Sequence, residues 1–436
     1  MVRRLSTDDS EFEFAFRELL AAKREEAVDV DDAVAEIISD VRKRGDAAVF
    51  ELTRHFDKVS LTSETMAFSE AEIDAACDSV SDEDRAALEM AATRIRAYHE
   101  RQLPEDANWK DEAGARLGWR WTPVDAAGLY VPGGLATYPS SVLMNAIPAQ
   151  VAGVRRLVVT VPTPNGEVNP LVLLAARLSG VETIYRIGGA QAIAALAYGT
   201  EMIRPVDTIT GPGNAYVAAA KRRVFGRVGI DMIAGPSEIL VIADKDNDPD
   251  WVALDLLSQA EHDSSAQSIL ITNNSVFADE VSSSVEFRLT SLERRDIAAA
   301  SWQDNGAIIT VRDWGEAAAL SDRIAPEHLQ LCIEEPRALA ANIRHAGAIF
   351  LGKWTPEAIG DYIAGPNHVL PTARSARFSS GLGVLDFMKR TTMTELTPEA
   401  MRVIGPAAER LARSESLEAH GLSVGARLER LNRPPE

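Results

Sequence analysis

The chain has 436 residues, of which 46% are hydrophobic, so it can bury more than one core and should form roughly two to four domains. Its 65 acidic and 45 basic residues give a net charge of −20, which repels phosphate backbones and anionic membrane surfaces and excludes nucleic acid as an expected partner. No apolar signal core opens the chain and no stretch approaches the ~18 uncharged residues of a membrane span, so we expect a cytoplasmic protein without a membrane partner.

Helical periodicity dominates residues 10–103, with a break at Gly45 and with Ser81 as the cap of a long amphipathic helix that ends before Pro104. After this region, short β-rich runs alternate with helical ones, which predicts parallel sheets. The predicted strands are 127–131, 157–161, 183–187, 239–243, 268–272, 307–311, 329–333 and 348–351.

Beyond Asp361 the chain becomes rich in loops and then helical over 398–430. This last segment has too few apolar residues to fold alone, so it should dock on something else, for example a second subunit. No repeat or low-complexity tract occurs, which excludes solenoids and propellers.

These patterns predict an α/β fold with two Rossmann-like parallel-sheet domains and small helical N- and C-terminal extensions. We expect the extensions at 1–26 and 382–436. The expected α/β domains are 27–129 together with 238–381, which carries most of the metal and catalytic residues, and 130–237, which carries the cofactor-binding turns.

A candidate metal site begins at the end of the helix predicted before Asp263. Gln259 and His262 are three residues apart, so both side chains point to one helical face. An amide oxygen and an imidazole are half of a metal site, and Glu327-His328, Asp361 and His420 are possible completions. Helix capping or exposure to solvent would explain the same pair without a metal.

The chain contains only two cysteines, Cys77 and Cys332, and neither is spaced for a thiolate metal site or a disulfide framework. Any metal must therefore be bound by nitrogen and oxygen. Cys332 follows His328 closely enough to be considered as a nucleophile, but a buried apolar thiol is the simpler interpretation.

Three glycine-rich turns follow predicted strands, at 130–134, 187–191 and 211–214. Glycine lets backbone amides approach an anion, so the turns indicate a dinucleotide or phosphate site along the carboxyl edge of a sheet. Each turn is also an ordinary strand-to-helix connection, and Tyr216 stands where the standard Rossmann fingerprint needs a small residue.

Glu327 and His328 lie directly before a predicted strand, where an acid and an imidazole could serve as general acid and base. Neighbours in a strand point to opposite faces, so both can act at one site only if the segment bends there. A surface charge pair is the alternative. The turn at 235–238 supplies Ser237, which could bind a polar substrate or serve only as a turn residue.

With these features in place, the chain closely resembles the histidinol dehydrogenase family over nearly its whole length. The resemblance rests on motifs in family order: YVPGG at 130–134, GPGNA at 211–215, AGPSE at 234–238, SQAEH at 258–262, PEHL at 326–329, GDY at 360–362 and GPNHVLPT at 365–372. The loop at 373–375 departs from the glycine-containing form of the family.

The resemblance implies a Zn²⁺ site and an NAD site. Its implied zinc ligands are Gln259, His262, Asp361 and His420. Its implied NAD contacts are Tyr130, Gln191 and Asn214. The implied substrate contacts are Ser237, Gln259, His262, Glu327, His328, Asp361, His368, Glu415 and His420.

The implied assembly is a homodimer with exchanged terminal segments, so that Glu415 and His420 would serve the site of the partner subunit. The implied reaction is the oxidation of the amino alcohol L-histidinol to L-histidine through the aldehyde with two NAD⁺, the last step of histidine biosynthesis. Glu327 and His328 would be the proton acceptors, and the zinc would orient the substrate. The alternatives are a related NAD-dependent dehydrogenase of another small diol or amino alcohol, a zinc hydrolase with Glu327 as base, and a non-catalytic binding module.

Overall fold

A computed structural model describes residues 2–21, 30–132, 138–233 and 235–433. The chain divides into two compact units, Met1–Gln102 with Val124–Phe387, and Leu103–Pro123 with Met388–Glu436. In the described part of the chain no helix is both long enough and apolar enough to cross a membrane.

The strands of the described ranges are β1 (Arg3–Ser6), β2 (Ala107–Lys110), β3 (Arg116–Pro123), β4 (Ala126–Tyr130), β5 (Arg156–Thr160), β6 (Thr183–Tyr185), β7 (Thr208–Thr210), β8 (Gly229–Ile230), β9 (Glu238–Ala243), β10 (Gln267–Thr272), β11 (Ala307–Thr310), β12 (His328–Cys332), β13 (Ala348–Leu351) and β14 (Met388–Glu395). The helices are α1 (Phe12–Ala21), α2 (Asp31–Arg44), α3 (Asp46–Phe56), α4 (Glu70–Ser79), α5 (Asp82–His99), α6 (Pro139–Ala152), α7 (Pro170–Leu178), α8 (Gly189–Tyr198), α9 (Ala215–Val224), α10 (Pro249–Ala260), α11 (Ser275–Leu289), α12 (Arg295–Asn305), α13 (Trp314–Ile324), α14 (Pro336–Ala340), α15 (Ala358–Tyr362), α16 (Pro398–Ser414) and α17 (Glu418–Asn432).

The larger sheet of the first unit has six parallel strands in the order β1-β11-β10-β9-β12-β13. Every residue of β9 and β10 is buried, because parallel strands in the middle of such a sheet are covered on both faces and therefore consist of continuous apolar runs. The predicted strands at 239–243, 268–272, 307–311, 329–333 and 348–351 are confirmed to within a residue or two.

The second parallel sheet of this unit has five strands in the order β6-β5-β4-β7-β8. Apart from β1 at the edge of the larger sheet, both sheets are built in the same order along the chain, with β4 and β9 as the central starting strands. The chain then adds two strands on one side and crosses back to add two on the other. This shared order confirms the predicted fold of two Rossmann-like parallel sheets, and it places a topological switch point between β4 and β7 and another between β9 and β12.

Capping residues set the start of α5 and the end of α2 in the N-terminal region. Ser81 accepts a hydrogen bond from Asp84 N (3.1 Å) at the start of α5, and α2 ends at Gly45, whose φ of 57° favours glycine. Both features agree with the sequence prediction.

The packing of α2 and α3 differs from the expected domain division. Val34, Ile38 and Val49 from these helices are buried in one core with residues of α8 and α9, and β4 is the central strand of the five-stranded sheet. Residues 31–56 and 126–129 thus belong with the sheet at 130–237, not with that of 238–381. The apolar face of an amphipathic helix shows that it is buried, but it does not specify which of two sheets covers it.

Strands also occur in the segments predicted as helical extensions. β1 is the edge strand of the six-stranded sheet, paired with β11. In the second unit β14 forms an antiparallel sheet with β3 and β2, and α16 packs on α17. β14 carries mostly polar side chains and is exposed along nearly its whole length, so hydrophobic periodicity does not indicate it.

Candidate functional site

The candidate site lies at the amino-terminal edge of the six-stranded sheet, at its switch point. Glu238 is the first residue of β9 and His328 is the first residue of β12, and these strands are neighbours. Open α/β sheets usually bind ligands at the carboxyl edge, so the site lies at the edge opposite to the usual one.

The backbone of Glu238 anchors both predicted proton acceptors. His328 Nδ1 lies 2.9 Å from the Glu238 carbonyl oxygen and donates to it, while Glu238 N donates to Glu327 Oε2 over 2.9 Å. Since Nδ1 holds its proton in this bond, the lone pair of a neutral His328 is on Nε2. The geometry therefore orients Nε2 to accept a proton.

The two side chains share one buried place although they are consecutive. Glu327 Oε2 is 3.7 Å from His328 Nδ1, and both residues are almost wholly buried. Glu327 precedes the first residue of β12, and Ala325 turns the chain with a φ of 49°. The bend that a joint role requires is thus present. Burial raises the pKa of the Glu327 carboxyl to about 7.

A cluster of possible metal ligands includes His328 Nε2. His328, Glu357 and Asp361 each offer a ligand atom, and these atoms lie within 4.8 Å of one another. His328 Nε2 is 3.5 Å from Glu357 Oε1 and 4.0 Å from Asp361 Oδ1. Burial is the main cause that raises the pKa of both carboxyls to about 7. Such a group of buried carboxyls would be stabilised by a bound cation.

Glu357 is a site residue that the sequence analysis does not identify. It precedes Asp361 by four residues, a spacing that puts two helical side chains on one face, and this signal could have indicated it. Its backbone N donates to Gln330 Oε1 over 3.1 Å, and its Oε2 accepts from Ser258 over 3.4 Å. The remaining oxygen, Oε1, faces His328.

Gln259 and His262 are brought to the same region by the end of α10. Gln259 is 1% exposed and its Oε1 has no hydrogen-bond partner, and burial lowers the pKa of His262 to about 4, with the charge of His328 as a further cause. A neutral imidazole and an unpaired amide oxygen are ligand groups for a divalent metal.

Three buried polar atoms of this site lack a hydrogen-bond partner: Gln259 Oε1, His328 Nε2 and Glu357 Oε1. An unsatisfied buried polar group destabilises a fold by about 1–3 kcal/mol, so three in one place indicate groups kept for a ligand.

His368 supports Asp361 in this structure. Its Nδ1 donates to the Asp361 carbonyl oxygen over 3.0 Å, and its Nε2 lies 3.3 Å from the hydroxyl of Ser141, near the start of α6. Burial lowers the pKa of His368 to about 4, so the ring is neutral and accepts from Ser141 at Nε2. Both ring nitrogens of this predicted substrate contact therefore have protein partners, and Ser141 is a further site residue without a sequence signal.

The loop that departs from the family pattern also reaches the site. Ala373 and Arg374 have φ of 51° and 65°, so non-glycine residues occupy the left-handed region here. Ala373 N donates to Glu238 Oε1 over 3.1 Å, and Gly235 N donates to Thr372 Oγ1 over 2.5 Å. These bonds hold the strained backbone against the start of β9.

Cys332 lies at the other end of β12. Burial raises the pKa of its thiol to about 11, and its sulfur accepts from Gln330 Nε2 over 3.2 Å. A thiol that stays protonated, at the strand end opposite to His328, is not a nucleophile for this site.

The predicted cofactor residues lie at the carboxyl edge of the five-stranded sheet. Tyr130 ends β4, its buried hydroxyl accepts from Gly189 N over 3.1 Å, and burial raises its pKa to about 12. Gln191 is buried in the first turn of α8. Asn214 follows β7 and caps α9, where its Oδ1 accepts from Tyr216 N. The three thus share one edge, at the switch point between β4 and β7.

Ser237 is half-buried next to Glu238, whereas Glu415 and His420 are exposed and belong to the second unit. Gly133, Gly134 and Ala234, which carry parts of the glycine-rich motifs, lie outside the described residues.

Comparison with known proteins agrees with the resemblance. The family model for histidinol dehydrogenase matches residues 20–428. Histidinol dehydrogenases of Ruegeria pomeroyi and Cereibacter sphaeroides are 72% and 73% identical over 428 residues, covering 98% of this chain and 99% of each relative. The crystal structure of histidinol dehydrogenase from Elizabethkingia anophelis superposes with a TM-score of 0.93 at 38% identity and 99% coverage of both chains. With its sheet order and its buried Glu-His pair, the chain belongs to the histidinol dehydrogenase family of oxidoreductases.

Proposed function

We propose that this chain oxidises L-histidinol to L-histidine through L-histidinal, with NAD⁺ as the hydride acceptor in both steps. The observation that carries the proposal is the pair Glu327 and His328, both anchored on Glu238, together with the unpartnered buried atoms His328 Nε2, Gln259 Oε1 and Glu357 Oε1. Membership of the family supports the substrate.

Gln259, His262 and Asp361, with His420 of the partner subunit, would hold a zinc ion. The donor set fits, because it offers a neutral imidazole, an unpaired amide oxygen and a buried carboxyl, all of which suit zinc. When bound, the ion would bind the amine and imidazole nitrogens of the substrate and orient it.

His328 would accept the first proton. Its Nε2 takes the proton of the alcohol as a hydride leaves the carbinol carbon, which yields the aldehyde. When bound, NAD⁺ accepts that hydride. The Glu238 carbonyl keeps Nδ1 protonated, so it fixes the imidazole tautomer that this step needs and stabilises the positive charge that then forms on the ring.

Glu327 would act in the second half-reaction. As a carboxylate it removes a proton from a water molecule while the water oxygen adds to the aldehyde carbon. This addition gives the anion of the hydrate, which becomes the carboxylic acid when its second hydride passes to a second NAD⁺. Glu238 N, which donates to Glu327 Oε2, leaves the other carboxylate oxygen for the water.

Tyr130, Gln191 and Asn214 would bind NAD⁺ at the carboxyl edge of the five-stranded sheet. The switch point of a doubly wound sheet is where dinucleotides bind, and glycine-rich turns follow β6 and β7 at this edge. Asn214 Oδ1 is occupied in capping α9, so its amide NH₂ is the group that would donate to the cofactor.

Ser237 and His368 of one subunit, with Glu415 and His420 of the partner subunit, would complete the substrate pocket in a homodimer with exchanged terminal segments. The exposed apolar side chains of α16 and α17 support an assembly, since Val403, Leu411 and Leu422 are each more than half exposed.

The test is to incubate the purified protein with histidinol and NAD⁺ and to follow the absorbance of the reduced cofactor. Two equivalents of NADH per histidinol consumed are expected. One equivalent would show an alcohol dehydrogenase that stops at the aldehyde. No NADH from histidinol, with turnover of another small diol or amino alcohol, would overturn the proposal.

A further inference from the structure

A buried ion pair holds both backbone groups of one glycine at the proposed cofactor edge. Lys221 Nζ donates to the Gly211 carbonyl oxygen over 2.9 Å and forms an ion pair with Asp231 Oδ1. The other Asp231 oxygen accepts from Gly211 N over 2.8 Å. The side chains of Lys221 and Asp231 are 2% and 0% exposed.

Gly211 is the residue where the sheet ladder stops and the cofactor turn begins. It follows β7 directly, and the last paired residue of β7, Thr210, is opposite Leu129 in β4. A Cβ at Gly211 would lie 2.0 Å from the carbonyl oxygen of Tyr130. The backbone of the turn therefore lies directly against the end of β4. The ion pair bonds to Gly211, the first residue after the strand pairing ends.

The reach of Lys221 follows from its place on α9. Helical side chains lean towards the helix N-terminus, so a lysine in the second turn extends back over the first turn to the strand that precedes it. Asp231 follows β8, the neighbour of β7, and so faces the same turn. Three elements, β7, β8 and α9, meet at one residue.

Stability alone does not explain this pair. Burying two charges loses their hydration, and a buried ion pair is often no more stabilising than apolar side chains of similar volume. A second ion pair of α9, between Arg223 and Asp31, keeps 35% and 44% of its side chains exposed and contacts no part of the turn. The buried pair differs because each of its side chains also forms a hydrogen bond with Gly211.

We infer that Lys221 and Asp231 are positioning residues for the dinucleotide: they hold the turn 211–214 so that the side-chain NH₂ of Asn214 faces the cofactor. This rests on the proposed function, because it assumes that NAD⁺ binds at this edge. Neither side chain needs to touch the cofactor, since both act through Gly211.

The test uses two double variants that remove the charges together, so that no unpaired charge is left buried. Lys221→Met with Asp231→Leu (the Met/Leu variant) removes both side-chain hydrogen bonds to Gly211. Lys221→Met with Asp231→Asn (the Met/Asn variant) keeps an acceptor for Gly211 N. Arg223→Met is the matched control, because it removes one positive charge and one ion pair from the same helix.

NAD⁺ binding is measured by titration calorimetry, and the KM for histidinol is measured at saturating NAD⁺. We expect the Met/Leu variant to bind NAD⁺ about tenfold more weakly, the Met/Asn variant to lie between it and the wild type, and Arg223→Met to bind normally. The histidinol KM should stay within about twofold of the wild type in all three.

Two results overturn the inference while the proposed function stands: wild-type NAD⁺ affinity in the folded double variants, or equal losses of NAD⁺ and histidinol binding, which would mark a purely structural pair. If the Met/Leu variant does not fold, the Met/Asn variant decides alone. A wild-type protein that binds no NAD⁺ would instead reject the proposed function itself.

Discussion

At the scale of single residues, the chemistry depends on which nitrogen of His328 carries the proton. The Glu238 carbonyl decides this, because it can only accept and so keeps Nδ1 protonated. The same residue donates its N–H to Glu327, so one residue orients both proposed proton acceptors. A backbone partner cannot be changed by substitution, which makes the orientation robust.

Substitutions of the two proposed proton acceptors should slow different half-reactions. We expect His328→Asn to lower NADH formation from histidinol by about 10²–10⁴-fold, because the alcohol proton loses its acceptor. Glu327→Gln should slow the oxidation of histidinal more than the oxidation of histidinol, because only the aldehyde step needs an activated water. Single-turnover assays that start from each substrate measure this.

Cys332→Ala is the control for this experiment, since its buried, protonated thiol predicts normal rates in both half-reactions. An equal loss of both rates in Glu327→Gln would contradict the division of labour.

The raised pKa of Glu327 predicts a pH profile. The carboxyl must be ionised to act as a base, and burial raises its pKa to about 7, so the histidinal rate should fall about tenfold per pH unit below that value. The fall should be absent from Glu327→Gln. Rates are measured over about two pH units on either side of neutrality, and a profile that is flat across neutrality would reject Glu327 as the base.

The same pKa shift predicts an opposite effect on stability. A raised carboxyl pKa means that the folded state binds the proton more tightly than the unfolded state. The contribution of Glu327 to the free energy of unfolding is therefore fully present below its ordinary pKa of 4.5 and is lost as the pH rises through about 7. Activity and stability thus change in opposite directions over this window.

At the scale of elements, one buried glutamine joins three pieces of the site. Gln330, in β12, donates to Asp255 of α10 over 2.5 Å and accepts from the backbone N of Glu357, directly before α15. α10 carries Gln259 and α15 carries Asp361, so this amide fixes the distance between two proposed ligands.

Gln330→Leu should therefore loosen the metal site. We expect the free energy of unfolding to fall by about 1–3 kcal/mol, because Asp255, the Glu357 backbone N and the Cys332 sulfur lose a partner. Zinc affinity should fall as well, by roughly tenfold, as is typical for residues that orient metal ligands. Chemical denaturation and a competitive zinc chelator measure the two effects.

Gln267→Leu is the matched control. Gln267 is a buried glutamine in β10 of the same sheet, but its amide donates to the Asn305 carbonyl, on the connection to β11. It should lose stability without losing zinc affinity. Unchanged zinc affinity in Gln330→Leu would show that the bridge does not position the ligands.

At the scale of the whole molecule, the two parallel sheets have similar strand orders but carry the proposed functional residues at opposite edges. The carboxyl edge of the five-stranded sheet carries the proposed cofactor residues, and the amino edge of the six-stranded sheet carries the proton acceptors. α6, which follows β4, links them, since Ser141 bonds to His368 and the Met144 carbonyl accepts from Asn367. The hydride leaves the carbinol carbon and the proton leaves its hydroxyl oxygen, so the two acceptors must act on adjacent atoms of one substrate.

Removal of the metal should abolish activity and leave the fold intact. The two apolar cores of the six-stranded sheet, one of which includes α10, contain none of the proposed ligands, so neither core depends on an ion. Treatment with a chelator should eliminate NADH formation, keep the far-UV circular dichroism spectrum, and be reversed by zinc. Loss of the helical signal on chelation would indicate a structural metal.

A shared active site can be tested by mixing two inactive proteins. In a hybrid dimer of His328→Asn and His420→Ala, one of the two sites would combine the intact His328 of one subunit with the intact His420 of the partner subunit. Random mixing should restore about a quarter of the wild-type activity. No recovery after verified subunit exchange would show that His420 serves its own subunit or none.

Local sequence patterns were sufficient for most elements. The apolar runs of β9 and β10, the cap at Ser81 and the break at Gly45 each depend on residues close in the chain, so periodicity and capping rules predict them. The motifs around Glu327 and His328 likewise indicated the proton acceptors, because an acid next to an imidazole is visible without any fold.

Other features depend on residues far apart in the chain. The sequence alone determined the alternation of strands and helices and the family, and it contains the motif of the two proposed proton acceptors, because these features are local in the chain. Only the tertiary structure decided which sheet covers α2 and α3, that Glu357 faces His328, and that Lys221 and Asp231 meet at Gly211. Such contacts form between elements that only packing brings together, and no pattern within one element specifies its partner.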